Sequence, residues 1–186
     1  MLINRILCLC FIGCYISSAY AASVRINLNG NVKINTCSVA INAEEKYVAL
    51  AINAGEKYVA LGHWAAKQFS AVGTASMPIQ FNLNLENCNG AESGISSVTF
   101  LFAGLANTAN PNLFALNGSS TATNVGIAIL DEDKKIIPPN TNSKLYKISN
   151  NMKYPLFTFY GQYISTADHV SAGTANADVT FSLTYQ

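Results

Sequence analysis

Charge is scarce in this 186-residue chain: Asp, Glu, Lys and Arg together make up 11% of it. Eleven Lys and Arg stand against ten Asp and Glu. No basic stripe therefore suggests nucleic acid, and no polybasic cluster an anionic membrane. Histidine is scarcer still. His63 and His169 are the only two, and neither stands in an H-x-x-x-H or H-E-x-x-H pattern. Each reads as an ordinary surface or core histidine. No serine occupies a G-x-S-x-G elbow. "DEDKK", Asp131 to Lys135, has the first three acids of a calcium loop but lacks its turn glycine and distant Glu. It reads as the mixed-charge tip of a hairpin. Nothing argues for an enzyme, a cofactor or a resident metal.

What is present begins with "MLINRILCLCFIGCYISSAYAAS". One positive charge, Arg5, precedes an apolar run from Ile6 to Ile16 and the small residues of Ala19-Tyr20-Ala21. This is the order of a secretory signal, residues 1–21, with cleavage after Ala21. The run is too short to span a bilayer as a permanent helix. The alternative is a lipoprotein site at Phe11-Ile12-Gly13-Cys14, which opens on a poor residue. Loss of the leader takes Cys8, Cys10 and Cys14 with it and leaves Cys37 and Cys88. In an exported chain two cysteines most simply form one disulfide; two separate buried thiols are the alternative. A loop of about 50 residues closed this way stabilises by roughly 4 kcal/mol in the chain-entropy account.

The remaining 165 residues suit one domain. Alternating apolar segments dominate them. "SVRINLNGNVKI" sets Val24, Ile26, Leu28, Gly30, Val32 and Ile34 in one phase, and "PIQFNLNL" sets Ile79, Phe81, Leu83 and Leu85 in another. "SSVTFLFAG", "NVGIAILD" and "YPLFTFYGQYIS" follow, separated by Asn-, Gly- and Pro-rich stretches. Strands at this spacing predict an all-β antiparallel sandwich of the immunoglobulin type. The last segment, "NADVTFSLTYQ", places Val179, Phe181, Leu183 and Tyr185 on one face and Asp178, Thr180, Ser182 and Thr184 on the other. It is a half-buried strand with no sequence after it to supply a neighbour.

One stretch repeats. Ala40 to Leu50 and Ala51 to Leu61 are the same eleven residues except for Glu44 against Gly55. An odd-numbered insertion within a strand would turn every later side chain to the wrong face. The second copy, "YVALG" leading into His63 and Trp64, is therefore assigned to the sandwich. The first is assigned to an excursion, for which its composition also permits a short helix. The lengthened loop costs only about 0.2 kcal/mol in closure entropy, so the repeat is tolerable as a neutral elaboration; a binding element is the alternative.

Together these pieces resemble the pilin subunits of chaperone–usher fimbriae, the type 1 group in particular. The resemblance covers nearly the whole chain after the leader. It rests on "CSVA" at Cys37, "NLENC" at Cys88, "VALG" between them and "TNVGIAILD" in the middle. Gly173, fourteenth from the carboxyl terminus, and the penultimate Tyr185 complete it. The extra eleven-residue copy departs from the family pattern. The resemblance implies an incomplete immunoglobulin-like sandwich that lacks its last strand and is completed by a donor strand from another subunit. Residues 22–34 would be the donor extension and 35–186 the pilin domain, with the tandem repeat at 40–61.

An open sheet edge invites another chain, and pilin complementation is itself a known example of strand addition. The resemblance implies that a periplasmic chaperone first lends a strand and that a neighbouring subunit's amino-terminal segment replaces it, with an outer-membrane usher as the further partner. Val24, Ile26, Leu28 and Val32 would enter successive pockets of the neighbour, and Gly30 a shallow one. Their burial, at about 1.5–3 kcal/mol each, would contribute roughly 6–12 kcal/mol, comparable with a typical domain stability of about 5–15 kcal/mol. An ordinary first strand of a self-contained sandwich shows the same alternation. On the acceptor side, Val179, Phe181, Leu183 and Tyr185 would line the groove, Gly173 would begin the turn into this strand, and the Gln186 carboxylate would anchor to basic residues of the chaperone.

The expected function is a structural fimbrial subunit at the cell surface, reached through the periplasm. Two rivals stand beside it. A receptor-binding adhesin calls for a separate lectin domain, for which 165 residues leave no space. A free secreted module that closes its own sandwich predicts a monomer stable without a chaperone. The short distance from Ala22 to Cys37 resembles adaptor subunits rather than rod subunits.

Overall fold

The period of two seen in the sequence becomes two facing sheets. The structure, a computed structural model, describes residues 26–27, 38–40, 58–86, 96–149 and 155–186. Among them are nine strands: β1 (Ile26–Asn27), β2 (Ser38–Ala40), β3 (Ile79–Glu86), β4 (Ser97–Gly104), β5 (Val125–Leu130), β6 (Ile136–Ile137), β7 (Tyr146–Lys147), β8 (Leu156–Ser165) and β9 (Ala177–Tyr185). One sheet has the order β1-β9-β4-β7 and the other β2-β3-β8-β5-β6. Every pair is antiparallel except β1 with β9. Neighbours are mostly distant in sequence, as sandwiches with crossing connections require.

Inward-facing aromatics join the sheets. Phe81 of β3, Phe100 and Phe102 of β4, Phe157 and Phe159 of β8 and Phe181 of β9 are all buried. Phe159 lies edge-on to Phe100 and Phe102, with centroids at 5.0 and 5.1 Å. Such contacts add to simple area burial. The second eleven-residue copy ends in this core: Val59 and Leu61 are buried, although 58–65 forms no strand. Leu61 fills the space over Gly161 of β8, where an added Cβ would come within 2.6 Å of its Cδ2. Apart from Ala40 at the end of β2, the first copy lies outside the described residues.

All six residues of β5 are buried. Val125, Ile127 and Ile129 face the other sheet, while Ala128 and Leu130 join Leu113 and Ile164 in a second apolar cluster on the opposite face. The 105–124 connection supplies Leu113 to that cluster. It comes so close that a Cβ on Gly126 would meet Leu113 Cβ at 2.9 Å. The "DEDKK" segment is the turn between β5 and β6, as expected. Asp131 is buried, and its Oδ1 accepts from the amides of Asp133 and Lys135.

Candidate functional site

The terminal strand pairs unequally on its two sides. On one, β9 runs antiparallel to β4 in an unbroken register from Val98↔Tyr185 to Gly104↔Val179. On the other, the only described partner is β1, in parallel, through Ile26↔Ala177 and Asn27↔Asp178. Along Val179–Thr184 no described strand stands on that side. The alternation is as expected: Val179 and Phe181 are buried, Leu183 and Tyr185 are partly buried against the core, and Asp178, Thr180 and Thr184 are exposed. Burial pushes the Tyr185 phenol up to about 12, because an ionised phenolate is poorly solvated there.

A pocket of about 560 Å³ opens at the end of the sandwich where β9 begins. Residues 62–67 with Phe69 and residues 170–173 with Ala175 line it, together with Ala122, Val125 and Tyr163. Two of its polar groups are engaged within the protein, while the exposed His63 and Lys67 also line it. Trp64 Nε1 donates to Leu61 O at 2.7 Å, and the Tyr163 hydroxyl donates to Ala175 O at 3.0 Å. Burial raises the Tyr163 pKa, so that hydroxyl keeps its proton at neutral pH. With these donors committed, the pocket presents mostly apolar and aromatic surface. It suits an uncharged, bulky side chain rather than a hydrogen-bonding ligand.

The expected acceptor residues are only partly together. Gly173 lines the pocket, whereas Val179, Phe181, Leu183 and Tyr185 continue along β9 beyond it. Gly173 lies in a bend four residues before β9. Its backbone does not occupy the left-handed region; the glycine is required by close approach, since an added Cβ would stand 2.5 Å from Thr121 Oγ1. Gln186 follows β9 directly. Its terminal oxygen accepts from the amides of Ser96 and Ser97 at 2.8 and 3.0 Å, so the carboxylate has partners inside the subunit. The reason is register: Gln186 follows Tyr185 in the ladder on β4 and reaches the strand's first residues.

Of the expected donor residues, Ile26 lies in β1, against the tail of its own chain rather than extended away from it. A lone chain offers this edge only its own tethered segment, and tethering raises local concentration. Val24, Leu28, Gly30 and Val32 lie outside the described residues, as do Cys37 and Cys88. Among the described residues, Ser38 pairs with Glu86 across β2 and β3. Sequence reading missed Trp64, Phe69, Ala122, Val125, Tyr163 and Val170 as lining residues. Tyr163 shares its inward phase with Phe157 and Phe159, which marks it as internal; its pocket neighbours come from distant segments and leave no local signal.

Comparison with known proteins agrees with this architecture. The family model described as fimbrial protein matches residues 26–186. The chain is 34% identical to the fimbrial-like protein FimF of Salmonella typhimurium over 180 residues, covering 94% of each. Two solved structures share its fold. The Burkholderia pseudomallei antigen and type I fimbria protein BPSL1626 superposes with a TM-score of 0.58 at 24% identity, over 88% of this chain and 97% of that one. A subunit of a chaperone–usher pilus does so with a TM-score of 0.60 at 20% identity, over 87% and 94%. With a family match spanning both sheets and the strand that borders the pocket, the chain belongs to the fimbrial protein family and is a structural subunit of a fimbria.

Proposed function

We propose that this subunit polymerises by strand donation: it accepts an extended segment of another subunit along β9 and offers its own residues 22–34 onward. The observation that carries this reading is the inequality of β9, laddered on β4 from Val179 to Tyr185 but bridged on its other side by two described residues, beside a 560 Å³ mostly apolar pocket. An incoming strand satisfies the backbone edge with main-chain hydrogen bonds, and one of its apolar side chains enters the pocket. A periplasmic chaperone holds the edge first and an outer-membrane usher directs the exchange. Residues 1–21 direct export, and Cys37 and Cys88 form the disulfide in the oxidising compartment.

One specific observation favours a second reading. Ile26 and Asn27 lie beside Ala177 and Asp178 of the same chain, as a sandwich that closes on itself would require. The two described residues of parallel pairing make a short closure, since an isolated pair of strands is marginal even at ordinary lengths. Expression of the exported chain with and without a fimbrial chaperone, followed by addition of a synthetic Ala22–Val32 peptide, separates the two. Strand donation predicts degradation or aggregation without the chaperone and a large rise in Tm with the peptide, abolished by Leu28→Asp in the peptide. It also predicts that a subunit deleted of 22–34 still takes up the peptide. A chain that is a stable monomer alone and ignores the peptide would establish the self-closing reading instead.

A further inference from the structure

An apolar pocket open to water tends to close, because collapse removes its lining from solvent. Something must hold its walls apart while it waits for an occupant. The wall formed by residues 170–175 belongs to no strand apart from a single bridge at Ser171, so a regular ladder does not supply that rigidity.

Side-chain hydroxyls do. Thr121 and Thr174 hold each other reciprocally: Thr174 N donates to Thr121 Oγ1 at 2.9 Å, Thr121 N donates to Thr174 Oγ1 at 2.9 Å, and the two hydroxyls lie 3.2 Å apart. Thr174 O also accepts from the amides of Thr121 and Ala122 at 3.0 and 2.9 Å. One step along, Thr123 N donates to Ser171 Oγ at 2.9 Å, with the two hydroxyls at 2.8 Å. One step the other way, Asn176 N donates to Ser120 Oγ at 2.8 Å, and that hydroxyl donates to Asn176 O at 3.1 Å. Gly173 lets the two backbones close to this distance. From inside, Tyr163 holds Ala175 O. The wall is thus fastened on both faces.

We propose that the Thr121–Thr174 pair is a positioning device for strand uptake, a clamp that keeps the pocket open at the spacing an incoming side chain needs. This rests on the strand-donation reading of the pocket and adds to it the residues that set its rate. Neither threonine touches the pocket space, so both act through the wall they hold. Because Thr121 is exposed and Thr174 is half-buried outside the core clusters, their loss leaves the core intact.

Trp64 is the only tryptophan of the chain and lines the pocket, so its fluorescence reports occupation. The test mixes the chaperone-released subunit with the Ala22–Val32 peptide in stopped flow. Thr174→Val should slow uptake at least fivefold, Thr121→Val/Thr174→Val further, and Thr174→Ser, which keeps the hydroxyl, should stay within twofold of wild type. Hydrogen exchange should quicken at the Thr121 and Ala122 amides while β4 and β8 remain protected. Uptake at the wild-type rate, or faster, in Thr174→Val overturns the clamp. So does loss of protection throughout β8, which would make the pair a determinant of the whole fold. Ala172→Phe, at an exposed lining position, isolates the underlying reading. If it blocks uptake while Thr174→Val does not, only the clamp falls. If it leaves uptake unchanged, the pocket is not a strand site and both fall.

Discussion

β8 and β9 are nearly equal in length and both carry inward aromatics, yet they live in different surroundings. β8 is flanked by β3 from Ile79↔Gly161 to Asn84↔Leu156 and by β5 from Val125↔Ser165 to Leu130↔Tyr160. Among the described residues β9 has one such neighbour and a two-residue bridge. Phe159 of β8 touches the rings of Phe81, Phe100, Phe102 and Tyr146, with centroids between 5.0 and 5.8 Å. Phe181 of β9 has a single described ring contact, to Phe102 at 6.5 Å. The contrast separates what holds this subunit together from what it holds in reserve. One strand is finished by its own chain; on the proposed reading, the other is left for assembly.

The strongest test truncates one aromatic on each strand. Phe159→Ala should cost about 3–5 kcal/mol, the range for an aromatic removed from a core that cannot collapse around the cavity. Phe181→Ala should cost clearly less in the isolated subunit and more once the donor peptide is bound, because the peptide completes its surroundings. Urea unfolding with and without peptide measures both. Equal costs, indifferent to peptide, would erase the distinction between the strands.

A smaller effect comes from two glycines. Gly173→Ala forces a Cβ to within 2.5 Å of Thr121 Oγ1 and 2.6 Å of the Thr121 carbonyl carbon. Overpacking of this kind typically costs about 1–3 kcal/mol, and here it also displaces the pocket wall. Gly118 has nothing within 4 Å of a Cβ and no left-handed backbone, so Gly118→Ala should be neutral or stabilise by up to about 1 kcal/mol through the unfolded chain. Thermal melts of the two variants compare them. A harmless Gly173→Ala would mean that the close approach of the 121–122 backbone is not needed.

How much of this was legible beforehand follows from the range of the forces. Alternation is a local signal, and it located β3, β4, β5, β8 and β9 and gave the facing of Val179, Phe181, Leu183 and Tyr185. The family resemblance reached further and singled out Gly173 and the donor segment. Neither could see that Gly173 serves a close approach to Thr121, because that contact joins residues 52 positions apart and depends on hydroxyls with no periodic signature. The pocket was hidden for the same reason. Trp64, Ala122, Tyr163 and Val170 meet only after both sheets have formed. The pairing of Gln186 with Ser96 and Ser97 depends on the β4–β9 register, which no turn between these distant strands could announce.

The smallest effect belongs to the rim where the two sheets are tied by charge. Lys144, two residues before β7, bridges Glu132 at 2.8 Å, Asp131 at 3.8 Å and also Asp133 in the β5–β6 turn. The hydrogen bond and charge of Lys144 lower the Asp133 pKa below 3.8, with Lys135 a minor contributor. Hydrogen bonds that Lys144 donates to Asp133 and Glu132 raise its pKa above 10.5. The carboxylate with a lowered pKa adds stability above about pH 4 and loses it as pH falls through the folded value. The lysine with a raised pKa adds stability below about pH 10.5 and loses it as pH rises through its folded value. Because these groups are exposed and screened by salt, the effect is modest. Lys144→Met should flatten the stability profile at both ends of the pH range while leaving peptide uptake at β9 untouched. If this distant substitution changed the uptake rate, the closed half and the open half of the sandwich would be coupled, and the separation drawn between β8 and β9 would fail.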